Sequence, residues 1–195
     1  SDAYDVPLFW AGSAGTFATL LNVSAPLAKY AVNFQSFLIL LNSSTDKCGF
    51  YYENENTQLT GGFNGVLTTG GSFTLPSSYD DEITGYFILS NKLFVSTRYK
   101  LYAISFVGGN PDWQYREIKN WGFVSRSVDK VTFGDVGEIA VGLDWNRRIR
   151  VFDGLDDKII SDKIENDNGM CDFATEKISY TGSGLLVSFG RTDDN

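Results

Sequence analysis

Four short apolar runs, each entered from a tight turn, recur along the chain at nearly constant spacing. They are Phe37-Leu38-Ile39-Leu40, Leu93-Phe94-Val95, Ile139-Ala140-Val141-Gly142 and Leu185-Leu186-Val187-Ser188. Leu38 to Leu93 is 55 residues, Leu93 to Ile139 is 46, and Ile139 to Leu185 is 46. The turns before them are Gln35-Ser36, Ser90-Asn91-Lys92, Asp135-Val136-Gly137-Glu138 and Thr181-Gly182-Ser183-Gly184. Apolar runs of four to eight residues between polar and glycine-rich breaks read as strands. Each has a strand before its turn: Lys29–Phe34, Thr84–Leu89, Lys130–Phe133 and Lys177–Tyr180. The first three have a third strand after them, at Gly49–Tyr52, Leu101–Phe106 and Ile149–Phe152, then a weaker fourth at Gln58–Thr60, Tyr115–Ile118 and Lys158–Ser161.

No long window carries helical periodicity with caps. Ser24–Leu41 has helical length, but Tyr30, Val32 and Phe34 alternate and Phe37–Leu41 is continuous, which fits two strands around Gln35-Ser36. The chain is therefore expected to be all-β. Four antiparallel strands repeating every 46 to 55 residues mark a β-propeller blade. A four-stranded sheet with two apolar faces cannot bury both alone; stacking sheets around an axis buries them. The 15 Phe, 10 Tyr and 4 Trp suit the wedges between such sheets. An ordinary β-sandwich is the alternative reading of the same strands.

Residues 24–195 give an arc of about three and a half blades, after an N-terminal segment, 1–23, with one orphan strand near Thr16–Leu21. Propellers close with about 4–8 blades. The array is thus expected to be incomplete in this chain, with the open edge at Leu185–Phe189 closed by further sequence or by another chain. A four-bladed ring closed by Thr16–Leu21 is the tight alternative.

Composition narrows the chemistry. With no His, the Ser-His-Asp triad, the Cys-His dyad and HExxH zinc sites are excluded. Cys48 and Cys171, the only two cysteines, are expected to be unpaired thiols and make no metal site. Gly12–Gly15 and Gly182–Gly184 complete no phosphate-binding motif. Asn166-Asp167-Asn168-Gly169 hints at a calcium loop, but the first ligand position falls on Ile164. Asp80-Asp81-Glu82 and Asp156-Asp157 are sequence neighbours and do not face each other across the gap that glycoside hydrolysis requires. Asn22-Val-Ser24 and Asn42-Ser-Ser44 match glycosylation sequons, a pattern common by chance. No metal, cofactor or catalytic residue is expected, and no run approaches the about 18 apolar residues of a membrane helix. The net charge of −8 and the lack of a basic stripe argue against sequence-specific nucleic-acid binding.

The most distinctive local feature is the loop Gly108-Gly-Asn-Pro-Asp-Trp-Gln-Tyr-Arg-Glu-Ile118. Trp113 and Tyr115 are its candidate partner or ligand contacts; the plainer reading is that Trp113 covers the end of a blade core.

The strings NKLFVSTRYKLYAIS (91–105), GGNPDWQYREI (108–118), WGFVSRSV (121–128) and GEIAVGLDWNRRIRVFDG (137–154), in that order, are similar to β-propeller domains of tailed-bacteriophage tail proteins. SAPLAKYAVNFQSFLIL (24–40) resembles a blade start in the same proteins. The resemblance spans about 24–165, is one of pattern, and carries no catalytic motif. It implies a non-enzymatic nozzle, hub or head-to-tail connecting component, located in the virion tail. Its partners would be other tail proteins and copies of itself in a ring, with DNA passing through the assembled channel. A propeller adhesin or carbohydrate-binding module is the alternative, and a carboxylate-dependent hydrolase a third reading.

On this strand map, the first-to-second and third-to-fourth turns share one end. They hold Glu53, Glu55, Asp112, Asp135, Glu138, Asp153, Asp156 and Asp157 against Lys92 and Lys158, whereas the opposite end mixes signs. The expectation is an acidic face that lines a DNA channel or meets a basic partner.

Overall fold

In a computed structural model of the chain, the described residues are 8–9, 18–19, 25–54, 70–108, 113–133, 137–161, 175–180 and 185–190. Among them there are strands and turns and no helix. The described residues hold sixteen strands, in three four-stranded antiparallel sheets and two hairpins. The chain divides into two compact units, Ser1–Ile83 and Thr84–Asn195.

In the first unit, β1 (Leu8–Phe9) pairs with β2 (Ala18–Thr19), so the expected orphan strand near Thr16–Leu21 has a partner upstream. β3 (Ala28–Phe34), β4 (Phe37–Ser43), β5 (Gly49–Asn54) and β6 (Gly70–Thr74) form a meander in chain order. The fourth strand was expected at Gln58–Thr60; that segment lies outside the described residues, and the strand on the outer edge of β5 is β6. Gly70 and Gly71 begin β6, an entry with almost no strand signal, which is why propensity misses it. Phe50 faces Phe73 across this pair, with stacked rings 4.6 Å apart.

In the second unit, β7 (Ile83–Leu89, its first residue at the boundary), β8 (Lys92–Thr97), β9 (Leu101–Phe106) and β10 (Trp113–Lys119) form the next meander. β11 (Asp129–Phe133), β12 (Gly137–Leu143), β13 (Ile149–Phe152) and β14 (Asp157–Ile159) form the third. β15 (Thr175–Tyr180) and β16 (Leu185–Gly190) form a hairpin. These strands match the expected positions to within a few residues.

The second strand of every meander explains the sequence repeat. Residues 39–43 of β4, 93–97 of β8 and 139–143 of β12 are buried without alternation. A strand buried on both sides lies inside a sheet covered on both faces. The turns leading into β4 and β8 are two-residue hairpins with positive φ at both positions: Gln35 (49°) and Ser36 (65°), Ser90 (46°) and Asn91 (58°). That backbone twist matches the twist of the flanking strands.

The second unit shows how the sheets cover one another. Phe87, Leu89, Phe94 and Leu101 of one sheet share a core with Ala140 and Phe152 of the next, and Phe123 of the connecting segment completes it. Phe94 and Phe152 meet edge to face at 5.4 Å, and Phe87 stacks on Phe94 at 5.2 Å. The other face of the β11–β14 sheet carries Val131, Ile139, Val141, Leu143 and Ile149, all buried, and β15 lies against β11 and β12. One sheet is thus apolar and covered on both sides.

Candidate functional site

Trp113 opens β10 and is 2% exposed, with its ring 5.2 Å from that of Phe106, the residue opposite it in the β9 ladder. It fills the end of the sheet core and presents no platform to a ligand, because the cross-strand pair holds the ring inward. Tyr115, two residues on and 42% exposed, stands edge-on to Tyr102 at 6.1 Å.

The eight carboxylates expected on one acidic face fall into different surroundings. Glu53 is fully buried, and its Oε1 accepts the Asn54 amide at 3.1 Å, so it is no part of a solvent face. Glu138 pairs with Lys130 at 2.8 Å and Asp157 with Lys119 at 2.9 Å. Asp153 and Asp156 are exposed on the turn between β13 and β14. Glu55, Asp112 and Asp135 lie outside the described residues. Two backbone amides, of Leu155 and Asp156, donate to Asp153 Oδ1 at 2.8 Å each and hold its carboxyl below the usual range. Lys130 and then the Ser90 amide do the same for Glu138.

The structure assembles an ion cluster in the second unit that the sequence did not announce. Asp144, fully enclosed after β12, receives Arg150 Nη2 at 2.9 Å and Arg148 Nη2 at 3.1 Å. The other Arg150 terminal nitrogen, Nη1, donates to Asp157 Oδ2. Arg150 is 7% exposed at its side chain and its guanidinium carbon lies 4.4 Å from the centre of the Trp121 ring. Burial pushes the Asp157 carboxyl up, but Lys119 and Arg150 together outweigh it and keep the group below its ordinary value. A buried guanidinium needs this many partners because each unpaired charge there costs several kcal/mol. Arg150 and Asp157 sit on neighbouring strands, while Lys119 ends β10 and Trp121 follows it. The cluster therefore ties one sheet to the next.

Hydroxyls make the second tie. Thr84 Oγ1 donates to the Phe123 carbonyl at 2.7 Å and the Phe123 amide donates to Ser96 Oγ at 2.7 Å. Ser127 Oγ donates to the Val124 carbonyl at 2.8 Å and accepts the Leu143 amide at 3.2 Å. These bonds satisfy the buried backbone of a connecting segment that has no ladder of its own. Gly122 passes so close to the Thr97 carbonyl that a Cβ there would overlap it.

A repeated capping device closes the turn after each second strand. Ser43 Oγ accepts the Asp46 amide at 2.9 Å, Thr97 Oγ1 accepts the Lys100 amide at 3.0 Å, and Asp144 Oδ1 accepts the Asn146 and Arg148 amides at 2.8 and 3.0 Å. Ser, Thr and Asp make such local turns for the same reason, a short side chain bearing an oxygen acceptor. Their common placement at the end of the repeated apolar run was the sequence signal available for them.

Between β7 and β11 lies an open cleft of about 290 Å³ lined by Tyr86, Phe87, Ile88, Val128, Asp129 and Lys130. Cys48 is a buried free thiol, raised above its ordinary pKa chiefly by burial, with Asp81, Asp46 and Glu82 adding to it and a Ser77 hydrogen bond opposing. Cys171 lies outside the described residues. Among the described residues, no three thiol or carboxylate groups converge as metal ligands. The chain matches no protein-family model and no curated protein.

Proposed function

We propose that this chain is a non-enzymatic structural component of a bacteriophage tail, of nozzle or hub type, built as an arc of β-propeller blades. The observation that carries the reading is the β11–β14 sheet, apolar and covered on both faces, by the preceding meander on one side and by β15 on the other. A two-layer sandwich leaves the outer face of each sheet to solvent; stacked meanders continuing along the chain are how a propeller is built. The pattern resemblance to tail propellers supplies the setting. The ties described above, an ion cluster and a hydroxyl ladder between successive sheets, suit a rigid wall that bears load and performs no chemistry.

The test is direct. Mass spectrometry of purified virions of the phage encoding the chain should find it, and antibody labelling in electron micrographs should place it on the tail. Its absence from purified virions would overturn the reading.

A further inference from the structure

In the Ser1–Ile83 unit an amine, a carboxyl group and an amide meet. Lys29 is on β3 and Asn42 on β4. The ladder pairs Ala28 with Ser43 and Tyr30 with Leu41, so the two residues stand opposite each other near the open end of the hairpin. Glu82, just ahead of β7, brings one carboxyl oxygen, Oε2, to both. It lies 3.2 Å from Lys29 Nζ and 3.4 Å from Asn42 Nδ2. Nδ2 also donates to the Ile83 carbonyl at 2.7 Å, which fixes the amide in place.

Burial sets this group apart from a surface ion pair. Asn42 is fully enclosed, and the side chains of Lys29 and Glu82 are only 13% and 22% exposed. Leu41 and Ile83, next in the chain to Asn42 and Glu82, are fully buried as well. The Asn42-Ser-Ser44 sequon is thereby closed to an enzyme acting on the folded protein. The reactive group that shares an oxygen contact with the Asn42 amide is the Lys29 amine. Desolvation favours the neutral forms of an amine and a carboxylic acid, and a neutral amine is a nucleophile.

We propose that Lys29 and Asn42 join in an isopeptide cross-link, made by the folded chain on itself with Glu82 moving the protons. Glu82 takes a proton from the Lys29 ammonium and frees its lone pair. Nζ attacks Cγ of Asn42; the new C–N bond forms and the carbonyl π electrons move to Oδ1. Glu82 passes its proton to Nδ2 and takes a second one from Nζ. The carbonyl re-forms, the Cγ–Nδ2 bond breaks, and ammonia leaves with the last proton as ammonium, restoring the Glu82 carboxylate. One amine and one amide give one substituted amide and ammonia, with no change of oxidation state.

Holding the three groups together turns a slow bimolecular aminolysis into an intramolecular one. A positioned carboxyl group that relays protons lowers the barrier further, and enclosure keeps water from competing for the amide carbon. The bond fastens β3 to β4 beside Ala28–Ser43, the last pair of their ladder, where fraying would begin. Nothing in the step draws on the tail reading; it rests on the Ser1–Ile83 unit alone.

The mass of the full chain, measured after denaturation, tests the cross-link. The wild type should be lighter than its sequence by one molecule of ammonia. Lys29 and Lys47 are the first two basic residues of the chain. Trypsin should fail to cut after Lys29, and the peptide ending at Lys47 should carry the deficit, with its fragments placing the bond between Lys29 and Asn42. Succinimide formation at Asn42 also expels ammonia but leaves Lys29 cleavable, so the digest tells the two apart. K29R and E82Q should both keep the full mass, and K29R retains the charge that faces Glu82, so its lack of the bond is not a lack of the fold. A wild type of full mass, a deficit with Lys29 still cleaved, or a bond that persists in E82Q overturns the inference.

Discussion

Arg150 lies over the ring of Trp121 and at the same time bridges Asp144 and Asp157, so one side chain from β13 engages its own sheet and the connection from the sheet before it. Guanidinium suits the place because it donates in its plane and stacks on its face, which an ammonium cannot do.

Removing either side of that bridge leaves a buried charge one partner short, Asp144 with Arg148 alone or Arg150 with Asp157 alone. Arg150→Ala and Asp144→Ala should each destabilise the second unit by about 3–5 kcal/mol. Urea denaturation followed by Trp fluorescence would report it as a lower midpoint with unchanged slope. Arg150→Lys should restore little, because it loses the stacking and one of the two bridges.

Asp157 makes the cluster sensitive to acid. Its folded pKa is depressed, so its contribution is fully present above the unfolded value of about 3.9 and is lost as pH falls through the lower folded value. Thermal melts should therefore fall from about pH 5 downward. Asp157→Asn should be less stable near pH 7 and show a flatter acid limb; parallel limbs in the two proteins would exclude Asp157 as the cause.

Gly122→Ala should cost about 3 kcal/mol, since the added methyl would meet the Thr97 carbonyl oxygen, a backbone atom that cannot swing aside. Gly137→Ala offers the contrast: open space surrounds that position, and only its φ of +87° is strained. The loss there should be about 1 kcal/mol. Chemical denaturation of both variants ranks the two causes.

Trp113→Ala should destabilise by about 3–5 kcal/mol as a core truncation, whereas Tyr115→Ala, half out in solvent, should cost about 1 kcal/mol or less. Equal effects from the two would mean that the ring of Trp113 does not sit in the core.

Cys48 should react slowly with thiol reagents at neutral pH, because burial both hides the sulfur and disfavours its thiolate. In a Cys171→Ser background, mass spectrometry after brief alkylation should find Cys48 unmodified until denaturant is added.

How much of this was readable in the residues follows from which interactions are local. The runs Phe37–Leu40, Leu93–Val95 and Ile139–Gly142 declared themselves because the core stretch of a central strand covered on both faces is apolar without alternation, and the turns before them are short and mostly polar. Edge strands carry no such mark. β6 begins with two glycines, and nothing within its own residues separates it from the upstream Gln58–Thr60 segment. The same limit applied to charge. Asp153 and Glu53 read alike in a sequence, yet one is exposed on a turn and the other is enclosed in β5.

Secondary structure, the order of the meanders and the all-β class were determined by the sequence through patterns only a few residues wide: alternation, apolar runs and turn residues. The tertiary structure alone decided which charges pair, where Trp113 points, and how Arg150, Trp121, Asp144 and Asp157 converge. Those contacts join residues from different strands and connections, and their energies depend on burial and on close approach of the paired atoms. No window of sequence holds that information, because it exists only once the sheets have stacked.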